Sequence, residues 1–183
     1  MGILLGFHRV RAIAVALVVL VSFCTASQAA DLDQPTGDIL LTIFGEIGNS
    51  NSTQRLDGKE LRAAVFDLAM LETLPSVSIS THTPWTEGVT EFTGVRMDVL
   101  MQHVDADYSD ITMSALDDYT VDMTELEFAD YPIVLAYKVN GNYLSVRELG
   151  PLWVMYPFDD YPELDTSINK ARCVWQLTSI LVR

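Results

Sequence analysis

Two alternating runs of apolar and polar residues flank a pair of aspartates in the stretch ITMSALDDYTVDM (residues 111–123). Because successive side chains of a strand point to opposite faces, each run predicts a strand that is buried on one face. Asp117 and Asp118, which stand between the runs, predict a turn that joins the two strands. The stretch therefore indicates a fold that is rich in strands.

Other apolar runs predict further strands on both sides of this stretch. Short strands are predicted at residues 39–44 and 77–80. The continuous apolar runs at 133–137 and 152–156 are typical of central strands. Asn140-Gly141, just after the first of them, is a strong signal for a two-residue hairpin turn. Closing strands are predicted around four apolar positions, Val174, Leu177, Ile180 and Val182.

Helices are predicted at two places. Asp57 is a good N-cap, Glu60 completes a capping-box arrangement, and the apolar residues of one helix face follow at Leu61, Ala64, Val65, Leu68 and Ala69. A second helix is predicted after residues 92–94, with three inward-facing residues, Val95, Val99 and Leu100. The predicted fold class is α+β, a mainly β mixed sheet with two or three short helices.

The first thirty residues predict export. Basic residues between His8 and Arg11 precede an apolar run at 12–24, which is short for a membrane span. Ser27-Gln28-Ala29 fits a small-residue cleavage site. We expect residues 1–29 to be a cleaved signal peptide, residues 30–183 to form a single domain, and the protein to be periplasmic. The alternative is an uncleaved membrane anchor.

Charge and cysteine content exclude two classes of protein. The 183 residues carry a formal net charge of −14, and cleavage after residue 29 would leave 9 basic and 25 acidic residues. Nucleic-acid binding is excluded because it depends on basic residues that neutralise phosphates. Cleavage would also leave Cys173 as the single cysteine, so no intramolecular disulfide is expected. Its apolar surroundings predict a buried thiol in a closing strand.

The familiar catalytic and metal-binding patterns are missing from the sequence. His82 and His103 are far apart and no paired-histidine spacing occurs, so no metal site is expected. The carboxylate pairs at 117–118 and 159–160 could act as general acids and bases. Adjacent residues of a strand point to opposite faces, however, which favours turn residues and solvated charge. No catalytic residue is predicted.

A small-molecule pocket is predicted where two polar loops follow strands. One loop, residues 81–86, carries the large aromatic Trp85, and the other surrounds Asp117. Trp85 either offers a stacking face to a ligand or only caps the core. The candidate binding residues are Thr81, His82, Thr83, Trp85, Asp117 and Tyr119.

Five short motifs, taken in order, resemble the molybdopterin-binding oxidoreductase domain of the sulfite-oxidase type. The motifs are Phe92-Thr93-Gly94-Val95 before a helix at 98–100, Ala115-Leu116-Asp117-Asp118-Tyr119, Ala136-Tyr137 with Asn140-Gly141, Gly150-Pro151-Leu152, and Val174-Trp175 with Ile180. The resemblance covers residues 37–183 and implies the sulfite-oxidase type of fold, with molybdopterin as a cofactor of the family. Catalytic members hold molybdenum through a cysteine thiolate before the F-T-G-V motif, and residues 77–91 contain no cysteine.

The segments 83–86 and 157–160 further resemble small, cysteine-lacking, exported members of this fold, the periplasmic pterin-binding regulators called PruR-like proteins. This resemblance implies a reduced, metal-free pterin as ligand. It implies as partner the periplasmic domain of a membrane-bound cyclic-di-GMP enzyme or histidine kinase. The implied function is a non-catalytic sensor. The alternatives are a periplasmic oxidoreductase with a molybdenum–pterin cofactor and a structural or adaptor domain with an empty pocket.

A pterin would place specific demands on the predicted pocket. Its pyrimidine edge presents an amino group and a ring N–H side by side, and one carboxylate can accept both. Asp117 is favoured over Asp118 for this role because the family pattern often has glycine at the second position. Trp85 would cover the ring face, and the remaining polar atoms would meet Thr81, Thr83 and Tyr119. The alternative is that both aspartates only shape a turn.

Overall fold

The computed structural model describes residues 32–107 and 110–183, so the predicted signal peptide at 1–29 lies outside the described residues. The strands in these ranges are β1 (Leu41–Gly45), β2 (Ser52–Leu56), β3 (Lys59–Phe66), β4 (Ser76–His82), β5 (Val89–Arg96), β6 (Asp110–Ala115), β7 (Thr120–Thr124), β8 (Val134–Val139), β9 (Asn142–Tyr143), β10 (Trp153–Met155) and β11 (Leu177–Val182). The α-helices there are α1 (Leu68–Thr73), α2 (Met97–His103), α3 (Glu125–Asp130) and α4 (Ser167–Ala171). Single-turn 3₁₀ helices occur at Val146–Glu148 and Pro162–Leu164.

The strands form two sheets. The first has six strands in the order β2-β3-β1-β11-β6-β7, and β1 and β11 pair in parallel while the other pairs are antiparallel. The second has five antiparallel strands, in the order β10-β8-β5-β4 with β9 also paired to β8. The predicted α+β, mainly β class is confirmed, with four short helices in the described ranges rather than two or three.

One hydrophobic core joins both sheets, and the alternation in β6 shows how the sequence builds it. Ile111 and Met113 are fully buried, while Thr112 and Ser114 between them are partly exposed. Core residues from the second sheet, such as Phe92, belong to the same cluster. Among the described residues, no helix combines the length and the apolar character that crossing a membrane requires.

The first predicted helix is wrong, because β2 and β3 form a hairpin over those residues. Asp57 and Gly58 have φ angles of 49° and 79° and form its turn. An Asp-Gly pair suits such a turn because both residues tolerate the left-handed region. Leu61, Ala64 and Val65 have a helical spacing by coincidence, since β3 lies between two strands and its residues 63–66 are buried on both faces. The chain becomes helical only from Leu68.

The predicted second helix exists but starts later. Strand β5 continues to Arg96, so Val95 is buried in the strand rather than on a helix face. Helix α2 follows directly, and Leu100 is buried within it while Val99 is partly buried. The hairpin turn predicted at Asn140-Gly141 is confirmed by φ angles of 48° and 77° between β8 and β9.

The buried carboxylate of Asp67 fixes the N-terminal segment to the start of α1. Its Oδ1 accepts the backbone N–H of Met70 at 2.8 Å, which caps the helix. Its Oδ2 accepts the N–H groups of Thr36 at 2.6 Å and Gly37 at 2.7 Å. The hydrogen bond from Met70, with those from Gly37 and Thr36, holds the pKa of Asp67 below its ordinary value of 3.8.

We expect Asp67 to contribute stability that depends on pH. Because its pKa is lower in the folded than in the unfolded protein, the contribution is complete above the unfolded pKa and is lost as pH falls through the folded pKa. Thermal unfolding followed by circular dichroism from neutral to acid pH should show a decrease in Tm below about pH 4. The Asp67→Asn variant should have a lower Tm at neutral pH and a shallower decrease in acid. Parallel profiles for the two proteins would contradict this role.

Candidate functional site

A cleft of about 280 Å³ lies where four segments meet, and we call it cleft A. The loop after β4, the β6–β7 turn, α4 and the segment between α4 and β11 each contribute to it. Its lining residues are Trp85, Ala115, Asp117, Tyr119, Lys170, Ala171, Cys173, Val174 and Trp175. The structure thus brings together three of the six predicted binding residues, Trp85, Asp117 and Tyr119.

Trp85 is held between the core and cleft A. The hydroxyl of Thr83 accepts the backbone N–H groups of Trp85 at 3.2 Å and Thr86 at 3.1 Å, which fixes the loop. The Trp85 ring meets the rings of Trp153 and Trp175 edge-on, with both centroid distances at 5.9 Å. Such edge contacts are favourable for aromatic pairs. Trp85 therefore both covers the core and lines the cleft, so the two roles considered for it are compatible.

Asp117 lies in the β6–β7 turn, and one of its carboxylate oxygens is available to a ligand. Its Oδ1 accepts the backbone N–H of Tyr119 at 3.2 Å, and its Oδ2 has no hydrogen-bond partner among the described residues. Asp118, next in the chain, has a φ of 66° and does not line the cleft. The carboxylate of Asp117 can therefore accept donors from a ligand while it keeps the turn closed.

Two hydrogen bonds hold the β6–β7 turn against the region of α4. The hydroxyl of Tyr119 donates to the carbonyl of Ala171 at 2.9 Å. Nε of Arg172 donates to the carbonyl of Asp122 at 3.2 Å. Two of the segments that line cleft A are therefore held together by the protein's own hydrogen bonds.

Sequence reasoning missed Lys170 and Trp175 as lining residues. Lys170 lies in the last turn of the short helix α4, and its Nζ lies 2.5 Å from Oδ1 of Asp165. Nothing in the local sequence marks Lys170, because it reaches the cleft only through the pairing of distant segments. The third tryptophan of the chain, in the motif Val174-Trp175, was the one available signal for Trp175.

Cys173 forms part of the cleft wall and is nearly inaccessible. Its side chain is 1% exposed, and Sγ donates to the carbonyl of Asn169 at 3.5 Å. Burial raises the pKa of the thiol to about 12. The predicted burial is confirmed, but the predicted strand at this position is wrong, because Cys173 follows directly on the end of α4.

We expect the Cys173 thiol to be unreactive in the folded protein. A thiol with a raised pKa holds little thiolate at neutral pH, and the thiolate is the nucleophile. Iodoacetamide at neutral pH should leave Cys173 unmodified in the native protein and alkylate it in denaturant, as measured by mass spectrometry of the peptide that contains it. Cys173→Ser should preserve ligand binding and lower the free energy of unfolding by about 1–3 kcal/mol. Rapid alkylation of the native protein would contradict this account.

His82 and Thr83 line a second cleft, of about 690 Å³, which we call cleft B. Asp159 binds His82 there, with Oδ2 2.8 Å from Nδ1 and Oδ1 accepting the backbone N–H at 3.1 Å. Thr81 is fully buried, and its hydroxyl accepts the backbone N–H of Asp159 at 3.1 Å. The structure therefore places Thr81, His82 and Thr83 outside the lining of cleft A. Lys170 lines both clefts.

Asp159 is more than the solvated charge that the sequence suggested. Hydrogen bonds from the backbone and then the side chain of His82 hold the pKa of Asp159 below its ordinary value. These bonds attach the segment after β10 to the end of β4. Because that segment leads into α4, the pair of Asp159 and His82 helps to position one wall of cleft A.

The described residues offer no ready-made metal site. No group of three or more His, Cys, Asp or Glu side chains in residues 32–107 and 110–183 is arranged to hold a metal ion. The charged residues that line the two clefts are His82, Asp117, Asp159, Asp165 and Lys170, so carboxylates predominate.

No family model matches the chain, and no curated protein matches it. Among solved structures, the chain is similar to the sulfane dehydrogenase SoxCD from Paracoccus pantotrophus, with a TM-score of 0.54 and 16% sequence identity. The match covers 78% of this chain and 37% of the SoxCD chain. At this identity the likeness is one of fold alone. The α+β, mainly β architecture of this chain is therefore distantly related to that of SoxCD.

Proposed function

We propose that the protein is an exported pterin-binding sensor without catalytic activity, and that cleft A is its ligand site. The observation that carries the proposal is the convergence of Asp117 with Trp85 and Trp175 on one cleft. These residues come from three separate segments of the chain. Their combination suits a flat heterocycle that carries adjacent N–H donors.

The chemistry of the cleft lining supports a ring ligand. Small-molecule sites are mostly apolar with a few polar groups that fix orientation. Cleft A has this character, because its lining combines Ala115, Ala171, Val174 and the tryptophan rings with one acidic and one basic residue. Its volume of about 280 Å³ suits a bicyclic ring better than a large cofactor. The carboxylate of Asp117 can accept the paired donors of a pyrimidine edge.

The donor groups favour a reduced, metal-free pterin over a molybdenum-bearing one. Cys173 is the one thiol near the cleft in the described residues, and its raised pKa and burial keep it protonated and covered. A phosphate-bearing cofactor would also meet more carboxylates than cations in clefts A and B. The residues present therefore do not fit molybdopterin, and we assign no chemistry to a bound metal.

We propose further that the liganded protein acts in the periplasm on a membrane signalling enzyme. The partner would be the periplasmic domain of a cyclic-di-GMP enzyme or of a histidine kinase. This part of the proposal rests on the resemblance of segments 83–86 and 157–160 to pterin-binding regulators and on the export signal that the sequence predicts at residues 1–29. Complex formation with and without pterin, measured by size-exclusion chromatography, would test it.

A second candidate function is a periplasmic oxidoreductase with a molybdenum–pterin cofactor, which would have to be held by residues outside the linings of clefts A and B. The fold that the chain shares with a sulfane dehydrogenase favours it. The two candidates differ in what the protein carries, so metal analysis of protein from a periplasmic fraction separates them. Stoichiometric molybdenum would support the oxidoreductase and exclude the sensor.

The ligand itself is tested by calorimetric titration under nitrogen with 6-methyl-7,8-dihydropterin. We expect saturable binding with one molecule per chain. Titration with a flat heterocycle that lacks the adjacent N–H donors should give no comparable heat. Equal binding of both compounds, or of neither, would contradict the proposed function.

A further inference from the structure

Cleft A contains one acidic and one basic side chain among its lining residues, Asp117 and Lys170. The other lining groups are apolar or uncharged side chains. A ligand in this cleft therefore meets acceptors at one position and donors at another, and its polar edge must match that pattern.

The positions of Asp117 and Lys170 are fixed relative to each other. Asp117 stands in the β6–β7 turn, and Lys170 stands in α4. The bonds from Tyr119 to the carbonyl of Ala171 and from Arg172 to the carbonyl of Asp122 join these two elements. Because each bond begins or ends within two residues of Lys170, the two bonds fix the backbone of Lys170 relative to the β6–β7 hairpin.

Lys170 keeps donors available for a ligand. Its Nζ is paired with Oδ1 of Asp165 at 2.5 Å, and an ammonium group has three N–H donors. Lys170 is a lining residue of cleft A and also of cleft B, where Asp165 is a lining residue as well. The lysine side chain therefore lies between the two clefts, and its remaining donors can serve a ligand in cleft A.

We propose that Lys170 is a specificity-determining residue that donates to the carbonyl oxygen at position 4 of the ligand ring. The proposal rests on the proposed function of cleft A and extends it. A 2-amino-4-oxo pyrimidine edge presents an amino donor, an N–H donor and a carbonyl acceptor in a row. Asp117 accepts the first two and Lys170 supplies the donor for the third. Cleft A thereby selects 2-amino-4-oxo heterocycles against their 2,4-diamino counterparts.

The comparison compound replaces the carbonyl acceptor by an amino donor and, in its neutral form, the ring N–H beside it by an unprotonated nitrogen. A site built around a particular hydrogen bond rejects a ligand that cannot form it. Calorimetric titrations would compare 6-methyl-7,8-dihydropterin with 2,4-diamino-6-methyl-7,8-dihydropteridine at a pH at which both are neutral. We expect the wild-type protein to prefer the 4-oxo compound by about ten- to a hundred-fold.

Variants of Lys170 identify the source of that preference. Lys170→Met should weaken binding of the 4-oxo compound by about ten-fold and leave the diamino compound unaffected, so that discrimination falls by that factor and only the part due to the ring N–H bonded to Asp117 remains. Lys170→Arg retains a donor and should preserve discrimination. The matched control is Lys59→Met, which removes the same charge from an exposed position in the β2–β3 hairpin and should behave as the wild type.

The outcomes separate this inference from the proposed function. If Lys170→Met keeps the wild-type preference, the role of Lys170 is refuted while pterin binding at cleft A stands. If the variant loses affinity for both compounds equally, Lys170 acts on the shape of the site and the specificity role is again refuted. If the wild-type protein binds neither compound, the proposed function and this inference both fall.

Discussion

Asp117→Asn is expected to weaken binding of a reduced pterin by about ten- to a hundred-fold. The substitution keeps the shape of the side chain but replaces one acceptor oxygen by an amide donor, which then faces the donors of the ligand. The remaining amide oxygen can still accept the backbone N–H of Tyr119 and keep the turn closed. Calorimetric titration with 6-methyl-7,8-dihydropterin measures the effect.

The chain supplies a matched control at the next residue. Asp118 carries the same charge in the same turn but does not line cleft A. Its φ of 66° is in a region that asparagine tolerates well, so Asp118→Asn should fold normally. We expect Asp118→Asn to bind with wild-type affinity. An equal loss in both variants would mean that the charge of the turn, rather than the Asp117 acceptor, governs binding.

Trp85→Ala is expected to weaken pterin binding to a similar degree, by about ten- to a hundred-fold. The lost stacking of an aromatic face on a flat heterocycle accounts for that magnitude, because such stacking is worth about 1–3 kcal/mol. The free energy of unfolding of the variant should also be lower by about 2 kcal/mol, because the half-buried ring contacts Trp153 and Trp175.

The two effects of Trp85 can be separated. Trp85→Phe keeps an aromatic face and most of the packing, so it should recover most of the affinity that Trp85→Ala loses. Titrations are made well below the Tm of each variant, with native circular dichroism as the check on folding. Wild-type affinity in a folded Trp85→Ala protein would exclude the ring as part of the ligand site.

Strands could be predicted from the sequence where apolar and polar residues alternate or where a turn motif marks a hairpin. The alternation at 111–123 gave β6, β7 and the turn between them, and Asn140-Gly141 specified its hairpin. The helix predicted at residues 57–69 was wrong because β3 is buried on both faces. A strand of this kind has a continuous apolar run, and such a run also contains apolar residues at helical spacing. The Asp57-Gly58 turn was the local signal that favoured the hairpin.

The site was harder to predict because it is assembled from distant segments. Trp85 and Asp117 stood out by residue type and by their place after strands, whereas Lys170 lies in a five-residue helix that no periodicity marks. His82 is the last residue of β4, the strand that precedes Trp85, and its bond to Asp159 holds it at cleft B. Only the three-dimensional pairing of these segments distinguishes the two clefts.

The central claim is tested most directly by the identity of the molecule that the protein carries. Protein would be purified without oxygen from a periplasmic fraction of cells that express the full chain. Mass spectrometry of the extracted small molecules and metal analysis of the same sample would follow. The account predicts a reduced pterin in stoichiometric amount and no stoichiometric molybdenum. Recovery of molybdopterin with stoichiometric molybdenum, or of protein that carries no pterin and binds none when one is supplied, would contradict it.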